Sequence, residues 1–220
     1  MTHAPIRLAI TSLAAILLAS CADESALTVL KKSSLNADAI FGRSTRNAKF
    51  DVPTPSPETV AASLEKPRDR HKMPLYGYDV RTRVVRTTAY THTEADHLIY
   101  GRKNAAGTTL RYGDKVRSAA ADWSIYPVGT TFRIKGLPYL YVVDDYGSAL
   151  VGTGTVDLYK PSMSVMNAWG RRNVELTIVR WGSQKRSAEI LKDRLHAAHC
   201  RRMFASLLRQ REDLQQLARR

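Results

Sequence analysis

The chain has 220 residues, 44% of them hydrophobic, and its 34 lysines and arginines against 20 acidic residues give a net charge of +14. This length and composition exclude both two full domains and a wholly disordered chain, leaving one core with extensions. The charge favours an anionic partner and, spread between core and carboxy-terminal extension, says little about any groove.

Taken in chain order, the first element is an export signal over residues 1–21. Arg7 precedes an apolar run from Leu8 to Leu18 that is too short to span a bilayer comfortably. Leu18-Ala19-Ser20-Cys21 resembles a bacterial lipobox, which makes Cys21 the expected lipidation residue. An exported chain meets wall carboxylates, lipopolysaccharide and anionic lipid, so nucleic acid is not an expected partner. The expected location is the periplasmic side of a bacterial membrane. Ala22 after the cysteine favours the outer membrane, and without lipidation the chain would be secreted.

Residues 22–75 are polar and mixed, and Pro53, Pro55 and Pro57 mark an extended stretch, so a flexible, disordered tether is expected with one short helix from Pro57 to Glu65. The core is expected over residues 76–183. Its strands are read from β-branched and aromatic runs at Tyr78 to Tyr90, Lys115 to Ala121, Thr130 to Ile134, Tyr139 to Asp144, Thr155 to Tyr159 and Val174 to Trp181. In the first, arginines interleave with Val84 and Val85, which predicts one buried and one cationic face. Six short strands joined by glycine and proline turns suggest a small closed barrel. His92, Glu94, Asp96 and His97 superficially resemble a metal site. Thr91 and Glu94 instead have capping-box spacing, so no metal is expected.

Residues 184–220 carry Ile190, Leu191, Leu195, Phe204, Leu207, Leu208, Leu214 and Leu217 at helical spacing among basic residues. This predicts a basic amphipathic extension of one or two helices, packed on the barrel or on a second copy, or laid against anionic membrane or wall polymer. Cys200, the only cysteine besides Cys21, is expected to be a structural residue within it.

The chemistry concentrates in one stretch. Asp145-Tyr146-Gly147-Ser148-Ala149-Leu150-Val151-Gly152, then Thr153-Gly154-Thr155-Val156-Asp157-Leu158-Tyr159, holds two carboxylates on a turn punctuated by glycines. A carboxyl in a poorly solvated groove has its pKa raised toward the range where it donates a proton near neutral pH, as glycosidic cleavage requires. Asp144, next to Asp145, is expected on the opposite strand face and in solvent.

Three further blocks join this one in order: Thr88-Ala89-Tyr90, Ala120-Ala121-Asp122-Trp123-Ser124-Ile125-Tyr126-Pro127-Val128-Gly129-Thr130, and Ala168-Trp169-Gly170-Arg171-Arg172-Asn173-Val174. From Gly113 to Trp181 the chain resembles the three-aspartate (3D) domain, the catalytic barrel shared by membrane-bound lytic transglycosylase A and related cell-wall lytic enzymes. The resemblance implies a mainly β fold, a six-stranded double-psi β-barrel whose groove binds peptidoglycan glycan strands, and a lytic transglycosylase that needs no cofactor. It implies Asp157 as the general acid/base, and Asp145 as a second catalytic residue that holds substrate hydroxyls or offsets positive charge on the sugar ring. Asp122, Thr88, Tyr90, Gly147 and Ser148 are implied as substrate-binding, Tyr90 by stacking on a sugar. The sequence departs from the pattern at Ser148, where the family has glycine, and in a segment from Gly152 to Asp157 that is one residue longer than usual. Those departures motivate a second reading, a wall-binding lipoprotein without turnover; a plain glycan hydrolase is a third.

Overall fold

The computed structural model describes residues 50–217 apart from 51 and 96, so the expected export signal, Cys21 and most of the expected tether lie outside the described residues. Six strands form one mixed sheet: β1 (Thr82–Tyr90), β2 (Val116–Ala121), β3 (Thr131–Ile134), β4 (Leu140–Asp145), β5 (Val156–Tyr159) and β6 (Arg172–Arg180). Four helices accompany them: α1 (Pro57–Leu64), α2 (Met163–Trp169), α3 (Gln184–Lys192) and α4 (Ala198–Leu217). All six expected strands are present, with the largest change at β1, expected from Tyr78 and beginning at Thr82.

Hydrogen-bonded neighbours run β1-β5-β2-β4-β3-β6 and return to β1. β1–β5 and β2–β4 are parallel, and the other pairs are antiparallel. Each strand therefore has two partners, and none of the six offers a bare edge to another chain. Side chains alternate accordingly: in β6, Val174, Leu176 and Ile178 point inward and are buried, while Glu175 and Thr177 between them are not. Phe132 and Tyr141, opposite each other on β3 and β4, stack at 5.3 Å.

The expected cationic face of β1 needs correction. Arg83 is 1% exposed, its guanidinium lying 5.0 Å from the Tyr76 ring and 5.1 Å from the Trp181 ring. It also donates to the carbonyls of Gly77 and Val80. Cation–π contact and carbonyl acceptors together compensate its removal from water.

The expected tether is corrected over its described part, which is packed on the sheet. α1 starts where Ser56 caps the Thr59 N–H and Pro57 supplies a preset φ, and Val60 packs with Met73 and Val84. Ser56 N–H donates to Glu175 at 2.7 Å, the Phe50 carbonyl accepts from Arg172 at 2.9 Å, and Phe50 packs edge-on against Trp169. The stretch has apolar residues enough to hold it down; its prolines set direction without detaching it.

The carboxy-terminal extension belongs to the same core. Ala188, Leu191, Cys200, Met203 and Leu207 join Trp123 and Tyr126 in one buried cluster. Cys200 is fully buried, with its thiol 3.4 Å from the Tyr146 hydroxyl. No helix among the described residues is long and apolar enough to cross a membrane.

Lys160 ends β5 inside this core. It is 0% exposed and its Nζ has no hydrogen-bond partner, lying 4.4 Å from the Trp169 ring and 4.9 Å from the Phe50 ring. Burial, followed by the like charges of Arg117 and Arg172, lowers its pKa to about 7. The unfolded chain holds that proton up to about pH 10.5, so folding releases it between the two values and the fold loses stability as pH falls from 10.5 to 7. Lys160→Met is expected to raise stability at pH 7 by about 1–3 kcal/mol, in line with other replacements of buried charge by apolar groups. Urea unfolding at pH 7 and pH 10 checks this, with the variant's advantage shrinking at the higher pH.

Candidate active site

β1 and β5 lie side by side in parallel, with Thr88 in register with Asp157. Paired residues face the same way, and the Thr88 hydroxyl donates to Asp157 Oδ1 at 2.7 Å. Asp157 is partly exposed, whereas Asp122 and Asp145 are 1% and 5% exposed. Burial pushes the Asp157 carboxyl up to about 7; the Thr88 hydrogen bond opposes this, the negative charges of Glu94 and Asp145 add to it, and Arg86 pulls it back down. At neutral pH this carboxyl is therefore present both with and without its proton, which suits a group that must first donate and then accept one.

Asp145 sits at the end of β4, with every acceptor direction turned into the protein. Oδ2 accepts from the Tyr90 hydroxyl at 3.0 Å, and Oδ1 from the backbone N–H groups of Ala105 at 3.0 Å and Tyr146 at 2.9 Å. Its charge also acts on Asp157. Tyr90, expected to stack on a sugar, lies in the core, 9% exposed and edge-on to Tyr159. Its hydroxyl is committed to Asp145.

Asp122 braces the loops around the site. Oδ1 accepts from the N–H and hydroxyl of Ser124 at 2.8 and 2.7 Å, and Oδ2 accepts from Gly152 N–H at 2.7 Å. The first pair closes a turn after β2, and the third bond ties that turn to the loop before Asp157. Further ties hold the same loop. Asp69 accepts from Gly154 N–H at 3.0 Å, and Arg70 donates to the carbonyls of Ala149 and Val151. Gly152 has φ +77, in the left-handed region where glycine is at ease. The extra length of the loop is thus absorbed by fixed contacts on both sides.

Gly147 is extended at φ −136, so it is not the sharp turn its position suggested. Ser148 is exposed and opens a single 3-10 turn, Ser148–Leu150. Asp144 is the other correction: it is 5% exposed and accepts from Ser118 Oγ at 2.7 Å. The cause is a register shift, because Ala119 pairs with Val143 but Ala120 pairs with Asp145, which makes Asp144 the extra residue of a bulge. Burial raises its carboxyl to about 7.

Glu94 accepts from the Thr91 N–H at 2.9 Å, the reciprocal half of a capping box. A 3-10 turn, Leu98–Tyr100, follows in the same segment. No group of three or more metal-binding side chains occurs among the described residues; Asp96 lies outside them. Sequence reasoning missed Glu94 and Arg86 as charges acting on Asp157. Arg86 carried a usable signal, standing two residues before Thr88 and so on the same face of β1.

The Thr88 bond yields a direct test. Losing a donor to the carboxylate disfavours the ionised form, so Thr88→Val is expected to raise the Asp157 pKa and shift the alkaline limb of the activity profile to higher pH. The pH dependence of kcat/KM checks it; an unmoved limb would mean that the hydroxyl does not tune this acid.

No curated protein matches the chain. Residues 117–180 match the family model described as 3D domain, a stretch that runs from β2 to the end of β6 and leaves β1, which completes the sheet, outside it. With Asp122, Asp145 and Asp157 all inside it, the stretch from 117 to 180 is a 3D domain.

Proposed function

We propose that the chain is a peptidoglycan lytic transglycosylase that cleaves the β-1,4 bond between N-acetylmuramic acid and N-acetylglucosamine, with Asp157 as its single general acid/base. One observation carries this reading: of the three aspartates, only Asp157 keeps a carboxyl that is partly exposed and raised to about 7. The 3D domain, which occurs in cell-wall lytic and peptidoglycan-related proteins, supports the glycan as substrate. The Asp157 carboxyl donates its proton to the glycosidic oxygen as the bond to C1 breaks. The carboxylate left behind takes the proton from the C6 hydroxyl of the same muramic acid as O6 bonds to C1, closing a 1,6-anhydro ring. No water is consumed, and one carboxyl returns to its starting state. A hydrolase needs a second carboxyl as nucleophile or base. Asp145, buried with both oxygens occupied, does not favour that route.

In this reading the sheet is a double-psi β-barrel and its groove runs past Asp157, a view supported by the two parallel pairs within an otherwise antiparallel circuit. Lipidation at Cys21 would hold the domain at the membrane; palmitate labelling of wild type and Cys21→Ser tests that separately. The full chain incubated with purified sacculi is expected to release fragments ending in anhydro-muramic acid. Mass spectrometry distinguishes them from hydrolysis products by one water, and the absence of any cleavage would leave the wall-binding reading.

A further inference from the structure

On the face of the sheet that carries Asp157, a second set of side chains stands ready for a ligand. Arg86 is two residues before Thr88 on β1, and Thr155 is two residues before Asp157 in the approach to β5. Val156 pairs with Thr87, so Thr155 comes alongside Arg86. From the other side, Arg171 stands in the bend just before β6, whose Arg172 pairs with Thr87, and its charge acts on Arg86. Two rows result, one of Asp157 and Thr88, the other of Thr155 and Arg86, separated by about 7 Å along the strands, with Arg171 near the second.

Two polar atoms of the second row are unused. Arg86 Nε and Thr155 Oγ1 are both buried without a hydrogen-bond partner, and Thr155 is 3% exposed. Ion pairs within 4.0 Å among the described residues are Lys135–Glu175 and Arg186–Glu189, so neither Arg86 nor Arg171 has a carboxylate at that distance. Asp69, the nearby acid, has its oxygens on the N–H groups of His71, Met73 and Gly154. Arg171 and Arg70 repel Arg86, while Asp69 and Asp157 attract it from beyond ion-pair distance. A buried donor without an acceptor and a buried hydroxyl without a partner are a costly arrangement that an incoming carboxylate relieves.

We propose that Arg86, Thr155 and Arg171 form a carboxylate-binding subsite beside Asp157, which takes an acidic substituent of the glycan strand next to the bond that is cut. The proposal rests on the glycan reading above. A carboxylate has two oxygens, which matches a guanidinium on one side and a hydroxyl on the other. Seated there, it fixes the register of the strand over Asp157, since a neutral sugar shifted by one unit would leave the subsite empty. Its source is either the lactyl carboxylate of muramic acid itself or a carboxylate of the attached peptide.

The test uses the full chain carrying Asp157→Asn, so that binding is measured without turnover. Calorimetric titration compares strands stripped of peptide with free lactyl carboxylates, strands retaining their peptides, and stripped strands with methyl-esterified carboxylates. At least one carboxylated strand is expected to bind about ten-fold tighter than the ester. Tighter binding by stripped strands identifies the lactyl group, and tighter binding by peptide-bearing strands identifies the peptide. Arg86→Gln is expected to abolish the difference while leaving affinity for the ester unchanged, and Arg171→Gln, at an exposed position, serves where the first variant does not fold. Equal affinity for all three strands, or a preference that survives both substitutions, overturns the subsite. Its failure is distinct from that of the enzyme reading: anhydro products without carboxylate preference sink only the subsite, and preference without anhydro products sinks only the transglycosylase.

Discussion

Asp157→Asn is expected to reduce release of anhydro-muramic ends by about 10²–10⁴-fold, the range that a positioned general acid or base contributes. An amide has nearly the shape of the carboxyl, still accepts the Thr88 hydroxyl at Oδ1, and cannot cede or take up the proton. The loss should come without a loss of fold. The folded pKa of Asp157, about 7, lies above its ordinary value of 3.8, so its contribution to stability is complete at low pH and is lost as pH rises through 7. Asparagine stays neutral throughout, which removes that loss. The variant is therefore expected to gain on wild type in denaturant unfolding between pH 5 and pH 8, while sacculus digestion is abolished at both. Residual cleavage at the wild-type rate would take Asp157 out of the mechanism.

Gly182→Ala is expected to be the most damaging single methyl on the chain. A Cβ at Gly182 would stand 2.3 Å from the carbonyl oxygens of Pro127 and Val128 and 2.5 Å from the Thr130 N–H group. All three contacts are backbone, so no side-chain rotation makes room. The strand that follows them, β3, and the helix that follows Gly182, α3, must separate, breaking the Ser183 N–H bond to the Val128 carbonyl at 3.0 Å. The expected cost is about 3 kcal/mol, at the upper end of overpacking effects. Gly107→Ala is the comparison: its φ of +86 carries the usual backbone strain, but its Cβ would meet nothing within 4 Å. That change is expected to cost about 1 kcal/mol. Urea midpoints for the two variants check the order, and the reverse order would show that the β3–α3 junction yields.

The strands were legible in the sequence because β-branched runs and turn residues act locally, and so was the pairing of Thr88-Ala89-Tyr90 with the Asp157 block as parts of one site. What each aspartate does was not legible. Asp122, Asp145 and Asp157 look alike as letters, and their roles separate only through partners distant in the chain, such as Gly152 for Asp122 and Ala105 for Asp145. Asp144 shows the same limit in another form, because strict alternation put it in solvent and a single bulge turned it inward. Composition misled over residues 50–75, where prolines suggested a free linker but Val60 and Met73 found a partner in Val84. The match to the 3D domain begins at residue 117. Thr88 and Arg86, which act on the acid, lie before it on β1.

The closed circuit of strands also bears on how the chain acquires its chemistry. Thr88 and Asp157 are 69 residues apart in sequence, and β1 meets β6 across up to 95 residues. Contacts of such separation form slowly, because loop-closure entropy is spent before they give anything back. Until β1 slots between β5 and β6, Asp157 is an ordinary hydrated carboxylate with an ordinary acidity. The raised proton affinity of this carboxyl therefore arrives with the final zipping of the sheet, and a nascent or partly unfolded copy carries only an ordinary aspartate there.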